Sequence, residues 1–186
     1  LPITSVGTVS HPTLAATNLG ASMRRWRITS AAVVDPVADQ RSAGWACWRG
    51  NAAGLGGWTF VIRISLTTLQ ATGMGFFGLY GSTAALATAL TLAAAINCIG
   101  IGFQRGTHTR WQLVANDGTG APTLTDMGAS FAIATGGVLT LTIAAPPNGS
   151  SVWVRAVDEV SGAVFEQEIT ADLPTAAQSL SPRLYM

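Results

Sequence analysis

The chain has 186 residues and a formal net charge of +1; 48% of the residues are hydrophobic and only 10% are charged. This length predicts one domain with a substantial core, and the near-neutral charge excludes a strongly basic protein that attracts nucleic acid through its overall field. So few charges indicate that partner chains cover part of the surface.

The N-terminal part of the sequence predicts an arm followed by the first strands. Residues 1–22 are rich in Thr, Ser and Ala and carry no heptads, so we expect an extended arm there and one β-sandwich domain over residues 23–186. Because the chain begins with Leu rather than Met, we expect a domain cut from a longer polypeptide. "RRWRIT" (24–29) and "WACWR" (45–49) are predicted strands, separated by a loop over residues 35–44.

The stretch "GWTFVIRISL" (57–66) alternates between apolar and mostly polar residues and therefore predicts a strand with one face on a core. Trp58, Phe60 and Ile62 fall on the apolar side. Further strands are predicted at "GFFGLY" (75–80), "INCIGIGF" (96–103) and "RWQLVA" (110–115). The Ala-rich segment between the first two of these has room for a helical turn or two.

The C-terminal half reads as hairpins joined by turn sequences. "NDGTG" (116–120), "PPNGS" (146–150) and "DEVSG" (158–162) offer residues that tolerate positive φ. They separate the predicted strands "VLTLTIAA" (138–145), "SVWVRAV" (151–157) and "AVFEQEIT" (163–170). Eight to eleven short strands with at most a short helical turn predict an all-β protein, an antiparallel β-sandwich of jelly-roll type.

Two carboxylates are the candidates for catalysis. Glu166 and Glu168 are two residues apart on one strand, so they share a face about 7 Å apart along it. Some jelly-roll glycoside hydrolases display acids in this spacing, although retaining cleavage needs carboxyl groups about 5–5.5 Å apart. The nearest hydrolase motif, Glu-x-Asp-x-x-Glu, requires an acid at position 171, which is Ala here. A solvated outer face is the alternative, and we expect no catalytic residues.

Metal, cofactor and membrane signals are weak. His11 and His108 do not stand at metal-ligand spacing from Cys or from each other. "NDGTG" offers oxygens to calcium but lacks the regular acidic spacing, so a hairpin explains it as well. We expect no metal and no cofactor. The longest apolar run has 14 residues, too few for a membrane span, and Cys47 and Cys98 are expected to be buried thiols inside strands.

The tryptophans leave three interpretations open. Trp153 faces opposite to Val152 and Val154, so one of these sets points outward. Exposed rings on a sandwich stack on sugars or fill a subunit interface, and a second core layer is the third possibility. In "RRWR" (24–27), Arg25 and Arg27 share a strand face opposite Trp26. Such a group suits phosphate or nucleic acid, but a solvated strand beside the core is the simpler interpretation.

Three stretches together resemble a known family. They are "WRGNAAGLGGWTFVIRI", "NCIGIGFQRGTHTRWQLVANDGTG" and "APPNGSSVWVRAVDEVSGAVFEQEITADLP…LSPRLYM". They are similar to the β-sandwich domain that recurs in tail fibres and related structural proteins of tailed bacteriophages. The similarity spans about residues 45–186, and several strands and turns match in order.

The resemblance implies a non-enzymatic virion component with a lectin-like, concanavalin-like jelly-roll fold, assembled in the host cytoplasm. It implies a homotrimer whose partners are identical subunits, other virion proteins and a host-surface glycan or protein, with no nucleic acid and no membrane insertion. Because binding residues of such modules lie in loops on a rigid scaffold, the predicted ligand-binding residues are Trp48, Asn51, His108, Arg110, Asn116 and Asp117.

The leading hypothesis is therefore a receptor-binding module of a phage tail fibre. A structural virion protein that binds only viral chains (fibre, collar or capsid decoration) is the first alternative. A glycan-degrading enzyme that uses Glu166 and Glu168 is the second.

Overall fold

A computed structural model of the chain describes residues 3–30, 37–44, 47, 49–50, 54–86 and 90–186. It contains thirteen described strands, one four-residue helix α1 (Leu19–Ser22) and one 3₁₀ turn (Leu92–Ala94). The strands are β1 (Ile3–Val6), β2 (Thr8–Ser10), β3 (Arg27–Thr29), β4 (Asp39–Ser42), β5 (Gly56–Ile64), β6 (Gly73–Tyr80), β7 (Cys98–Arg105), β8 (Gln112–Asn116), β9 (Thr123–Asp126), β10 (Leu139–Pro147), β11 (Val152–Asp158), β12 (Val164–Ile169) and β13 (Ser181–Tyr185).

The strands form two main sheets, in which neighbouring strands are antiparallel. The larger sheet has the order β1-β4-β13-β6-β7-β8-β9, and the smaller has the order β12-β11-β10-β5. Strands β2 and β3 pair separately as a two-stranded ribbon. The two main sheets enclose the principal core, so the chain is an antiparallel β-sandwich, as the sequence predicts.

The four-stranded sheet has one buried face and one solvated face. Along β10, Leu141 and Ile143 are fully buried while Thr140 and Thr142 are not, and β11 alternates in the same way. On β5, Trp58, Phe60 and Ile62 pack against the core as the alternation predicts. Period-two patterning therefore identified this sheet because its two faces have different environments.

The central strands β6, β7 and β8 of the seven-stranded sheet are buried on both faces. Residues such as Phe77, Ile101 and Leu113 point into the principal core. From the same strands Phe76 and Val114 point the other way, into a second cluster that contains Leu92 of the 3₁₀ turn. The described residues of segment 81–97, which exclude residues 87–89, therefore cover part of the face of this sheet that points away from the principal core. The predicted helical content of this Ala-rich region is limited, among its described residues, to the 3₁₀ turn.

A buried polar cluster joins β4 and β13. Asp39 and Arg183 have essentially no exposed side-chain surface, and Arg183 Nε lies 3.3 Å from Asp39 Oδ1. Arg41 Nη1 donates to Asp39 Oδ2 (2.7 Å). The two arginines also hold the covering segment, because Arg41 Nε donates to Thr83 O (3.0 Å) and Arg183 Nη2 donates to Ala84 O. The prediction of a loop over residues 35–44 is therefore wrong for Asp39–Ser42, which is strand β4.

The N-terminal segment is paired with the rest of the chain. Strand β1 is an edge strand of the seven-stranded sheet and pairs with β4, while β2 pairs with β3. Helix α1 lies close to the end of β5, since a Cβ at Gly20 would approach Ser65 Oγ to 2.4 Å. The role of residues 1–22 as an arm stays a prediction. The domain boundary at residue 22 stays a prediction.

Candidate functional site

The predicted ligand-binding residues lie at two ends of the sandwich. His108 and Arg110 are in the connection before β8, and Asn116 and Asp117 are at its end. Residues 111–115 separate the two pairs, and the five residues of β8 span roughly 16 Å. The structure therefore does not bring the four residues together. Trp48 and Asn51 lie outside the described residues.

Asn116 and Asp117 shape the turn between β8 and β9. Asn116 is fully buried, its Oδ1 accepts hydrogen bonds from the N–H groups of Asn97 (3.0 Å) and Gly118 (2.7 Å), and its Nδ2 donates to Thr119 O (3.1 Å). Asp117 Oδ1 accepts from the hydroxyl (2.7 Å) and the N–H (2.8 Å) of Thr119. These bonds to Thr119 lower the pKa of Asp117. In this arrangement Asn116 has no side-chain surface to offer a ligand, and Asp117 is the accessible member of the pair.

At the other end of β8, His108 belongs to a tight turn and Arg110 to a surface ion pair. The Gln104 N–H donates to His108 Nδ1 (3.0 Å). Partial burial lowers the pKa of His108, and the negative charge of Asp126 raises it by a smaller amount. Arg110 Nη1 lies 3.5 Å from Asp126 Oδ2, and both side chains are about half exposed. Both predicted residues remain accessible, but exposed pairs of this kind are common on protein surfaces.

The described neighbours of Trp48 and Asn51 lie near the Asp117 end. Arg49 Nε donates to Pro174 O (2.9 Å), and the Gly50 N–H donates to Ala176 O (2.9 Å). The same segment of chain carries Asp172, whose Oδ1 accepts from the Asp117 N–H (3.0 Å). Burial lowers the pKa of Arg49. Segment 172–176 thus contacts both the Arg49–Gly50 segment and the Asp117 turn.

Cysteine chemistry is not favoured at either thiol. Cys98 is fully buried in β7, as predicted, whereas Cys47 is only partly buried and forms an isolated bridge with Leu180. Burial raises the pKa of Cys47 to about 12 and raises that of Cys98 as well. Because the thiolate is the reactive form, both groups are held in their unreactive state.

The solvated outer face of the four-stranded sheet presents a more continuous surface. Its side chains lie in rows across the strands, which the antiparallel register defines. We call this surface the outer face; its central rows are Thr59–Ala144–Trp153–Glu168 and Val61–Thr142–Arg155–Glu166. Directly opposed Cβ atoms in such rows are about 4.5–5.5 Å apart.

Trp153 is the most distinctive residue of the outer face. Its side chain is 52% exposed, and it borders an open groove of about 500 Å³. We call this the Trp153 groove; it is lined by Gly57, Trp58, Thr59, Ala144, Ala145, Pro146, Pro147 and Trp153. A single exposed apolar side chain is normal on a protein surface, so what distinguishes Trp153 is its position at the groove.

Hydrogen-bonding groups flank the Trp153 ring on the same face. Glu168 is its cross-strand neighbour on β12. Arg155 is two residues along β11, and its Nε donates to Glu166 Oε1 (2.7 Å), with both side chains about half exposed or more. An apolar ring beside a carboxylate and a guanidinium can bind a ligand that has one apolar face and several hydroxyl groups. Sugars have this character.

The sequence contained part of this site. It places Glu166 and Glu168 on one strand face, and it leaves open whether Trp153 or the pair Val152 and Val154 points outward. The hairpin predicted at "DEVSG" (158–162) pairs β11 with β12, and its register in the structure places Trp153 opposite Glu168. The groove also depends on β5 pairing with β10, a long-range pairing that the sequence does not specify.

The described residues contain neither a metal-ligand cluster nor a membrane-spanning helix. Within the described ranges, no group of three or more His, Cys, Asp or Glu side chains is placed to hold a metal ion. No helix among the described residues is long and apolar enough to span a membrane.

No model of a known protein family matches the chain, and no curated protein sequence matches it. Solved structures do. Peanut lectin in complex with a nine-residue peptide matches with a TM-score of 0.55 at 14% identity, over 98% of this chain and 82% of the lectin. Lectin UEA-II in complex with galactose matches with a TM-score of 0.55 at 11% identity, over 98% of this chain and 83% of the lectin.

A phage protein is among the similar structures. The enzymatically active domain of tailspike protein 2 from bacteriophage CBA120 matches with a TM-score of 0.59 at 14% identity, over 97% of this chain. This chain spans only 25% of that tailspike chain. At these identities the likeness concerns the fold, and it shows that the chain has the lectin-like, jelly-roll β-sandwich fold.

Proposed function

We propose that this chain is a non-enzymatic carbohydrate-binding module of a phage virion, and specifically the receptor-binding part of a tail fibre. The observation that carries the proposal is the exposed Trp153 ring at an open groove, with Glu168 and Arg155 beside it on the outer face. The lectin-like fold, and its occurrence in a lectin bound to galactose and in a phage tailspike, support it.

The chemistry of the Trp153 groove suits a neutral or weakly polar sugar ring. The C–H face of the sugar packs on the indole, which removes apolar surface from water. Hydroxyl groups at the ring edge then donate to Glu168 and accept from Arg155, and hydrogen bonds to charged partners are stronger than neutral ones. One shallow groove that is open on one side gives weak affinity by itself.

We further propose that the module acts as a homotrimer in the virion. A trimer presents three Trp153 grooves to one cell surface, so weak individual binding is raised by effective concentration. Burial of surface between subunits accommodates the low content of charged residues. Among the described strands, β5 and β12 are the edges of the four-stranded sheet, and edge strands are natural positions for contacts with a neighbouring subunit.

A glycan array and a host-cell adsorption assay with the full chain test this proposal. We expect Trp153→Ala to weaken glycan binding at least 30-fold, because truncation of a central Trp costs about 2 kcal/mol or more. Val164→Ala is the matched control, since Val164 is exposed on the same sheet face but outside the groove, and it should change binding less than two-fold. Absence of binding to any glycan or host cell by the folded chain, or unchanged binding by Trp153→Ala, contradicts the proposal.

A structural virion protein that binds only viral chains is the second candidate. The outer face also carries exposed apolar side chains away from the groove, including Val61 at 60% exposure and Val164. Such residues favour a protein interface. Mass spectrometry of separated head and tail fractions, combined with adsorption by the isolated chain, distinguishes the candidates. A chain that is present in the virion but adsorbs to no host surface is structural.

The position of Glu166 supports the non-enzymatic form of the proposal. Glu166 is in an ion pair with Arg155 and lies on an open sheet face, whereas glycoside hydrolysis uses two free carboxyl groups on either side of a bound sugar. Assay of the chain on host polysaccharide provides the test. Release of reducing ends by the wild type that disappears in Glu168→Gln would instead establish a glycan-degrading enzyme.

A further inference from the structure

A second groove lies in the N-terminal part of the chain, outside the site described above. It has a volume of about 580 Å³, which is within the range of roughly 300–1,000 Å³ that is usual for small-ligand sites. We call it the N-terminal groove; it is lined by His11, Pro12, Thr13, Leu14, Arg24, Arg25 and Trp26.

The β2–β3 ribbon builds this groove. Its register pairs Ser10 with Arg27, which places the segment after β2 beside the segment before β3. The regular strand begins only at Arg27, so Trp26 is not on the core side of a strand as the sequence suggests. Its side chain is 55% exposed. The prediction of a solvated strand over residues 24–29 is therefore wrong for residues 24–26.

The groove carries positive charge without a compensating acid. Arg25 Nη1 donates to Ala21 O (2.8 Å) and Met23 O (3.1 Å), which fixes the guanidinium beside α1, while its buried Nε has no hydrogen-bond partner. Arg24 is exposed at the groove. Among the described residues, no carboxylate forms an ion pair with Arg24 or Arg25. Arg25 therefore adds a cation to the lining of the groove that no described carboxylate neutralises.

An aromatic surface stands next to these cations. The His11 and Trp26 rings are in edge-to-face contact, with centroids 5.9 Å apart and an interplanar angle of 77°. This contact holds the Trp26 ring in place while leaving its surface open to the groove. The groove therefore combines a ring-stacking surface with guanidinium donors, and it suits a ligand that has a ring with an apolar face and an anionic substituent.

We propose that the N-terminal groove binds a sugar unit that carries an anionic group, such as a uronic-acid carboxylate or a sugar phosphate. In this arrangement the sugar ring packs on Trp26, and its anionic group accepts hydrogen bonds from Arg24 close to the positive charge of Arg25. Guanidinium groups bind carboxylate and phosphate particularly well because their donors match the geometry of these anions. This inference goes beyond the proposed function, since it concerns different residues and a different class of sugar.

The two grooves are separated along one sheet edge. The Trp153 groove includes Gly57 and Thr59 at the start of β5. The N-terminal segment approaches the other end of β5, where Arg63 Nη1 lies 3.6 Å from Met23 Sδ. The nine residues of β5 span roughly 30 Å. A polysaccharide would have to span roughly this distance to occupy both grooves at once, and such occupancy would strengthen its binding.

Nucleic acid fits this groove less well than an acidic sugar. Proteins that bind single strands use a basic track several nucleotides long with successive stacking rings. The N-terminal groove offers two lining arginines and one exposed Trp, and the chain has a formal net charge of only +1. The observations therefore favour a compact anionic ligand, and oligonucleotide binding becomes an outcome of the test.

The experiment measures binding of the full chain by calorimetry to four probes. These are tri-galacturonic acid, galactose 6-phosphate, a neutral galactose trisaccharide and a 12-nucleotide single strand. We expect at least one acidic sugar to bind ten-fold or more tightly than the neutral trisaccharide when Trp153→Ala removes the other groove. The two acidic probes distinguish recognition of a carboxylate from recognition of a phosphate.

Variants locate this binding. Arg24→Ala should weaken binding of the acidic sugar about ten-fold or more, because a hydrogen bond to a charged partner is lost. Arg27→Ala removes the same charge from an exposed position outside the groove lining and should change binding less than two-fold. Both side chains are exposed, so both variants should have the melting temperature of the wild type.

Four results would overturn the inference. They are equal binding of neutral and acidic sugars in the Trp153→Ala background, equal effects of Arg24→Ala and Arg27→Ala, tighter binding of the oligonucleotide than of either acidic sugar, and no binding of any probe at millimolar concentration. Failure of the Trp153 proposal leaves these measurements unaffected, because they are made in the variant that lacks that ring.

Discussion

The two sheets of the sandwich differ in how many of their faces are buried. The seven-stranded sheet has one face in the principal core, and part of its other face lies under segment 81–97. Arg41 and Arg183 fix this segment through hydrogen bonds to Thr83 O and Ala84 O. The four-stranded sheet has a solvated outer face with an exposed ion pair, Arg155–Glu166.

This difference separates residues that stabilise the fold from residues that are free to bind. The polar groups of β4 and β13 in the seven-stranded sheet are largely buried, as Asp39 and Arg183 are, so changes there should act mainly on stability. Polar groups of the outer face are exposed, so changes there should act mainly on binding. Variants matched in chemistry but placed in the two sheets test this distinction.

The largest expected effect is at the buried carboxylate. Asp39→Ala leaves Arg183 buried without its counter-charge and also removes the partner of Arg41. Loss of one member of a buried ion pair costs about 3–5 kcal/mol. We therefore expect the free energy of unfolding, measured by urea titration, to fall by that amount.

Glu166→Ala is the matched control, because it removes the carboxylate of an exposed pair with a similar nitrogen–oxygen distance of 2.7 Å. Exposed pairs contribute about 1 kcal/mol or less, and this contribution should shrink in high salt. Equal destabilisation by the two substitutions would show that the Asp39 cluster is not the buried stabilising element described here.

A second matched pair concerns apolar side chains. Val114 of β8 is fully buried on the outer side of the seven-stranded sheet, and Val61 of β5 is 60% exposed on the outer face of the other sheet. Val114→Ala should lower the free energy of unfolding by about 2 kcal/mol, from about 0.8 kcal/mol per buried methylene plus a small cavity. Val61→Ala should change it by less than about 0.5 kcal/mol. A large effect at Val61 in a monomer, or none at Val114, would contradict the assignment of the covered face.

The sequence predicts the four-stranded sheet better than the seven-stranded one for the same physical reason. Period-two patterning requires two different environments, and β5, β10 and β11 have them. Strand β4 was missed because its buried residues are polar, with Asp39 neutralised by Arg183 from the far end of the chain. No local pattern reports such a distant pairing.

The candidate site could be predicted only in part. The hairpin formed by β11 and β12 follows from local turn chemistry, so Trp153 and Glu168 were available as neighbours. The predicted loop residues do not form one site, because β8 separates His108 from Asp117. The N-terminal groove was obscured because the pattern in "RRWR" suggested a strand, whereas the strand begins at Arg27.

The smallest expected effect is a pH dependence at the end of the seven-stranded sheet. His108 Nδ1 accepts a hydrogen bond from the Gln104 N–H, so it must be unprotonated to hold this turn. Partial burial lowers the pKa of His108 in the folded chain, and Asp126 opposes this only in part. The unfolded chain therefore binds a proton more readily than the folded chain, and stability falls as pH drops below about 6.5. His108→Asn keeps an acceptor that does not titrate, so the variant should match the wild type at pH 7.5 and melt at a higher temperature than the wild type at pH 5.5. If the wild type and His108→Asn melt at the same temperature at pH 5.5 as well as at pH 7.5, the turn does not depend on neutral His108.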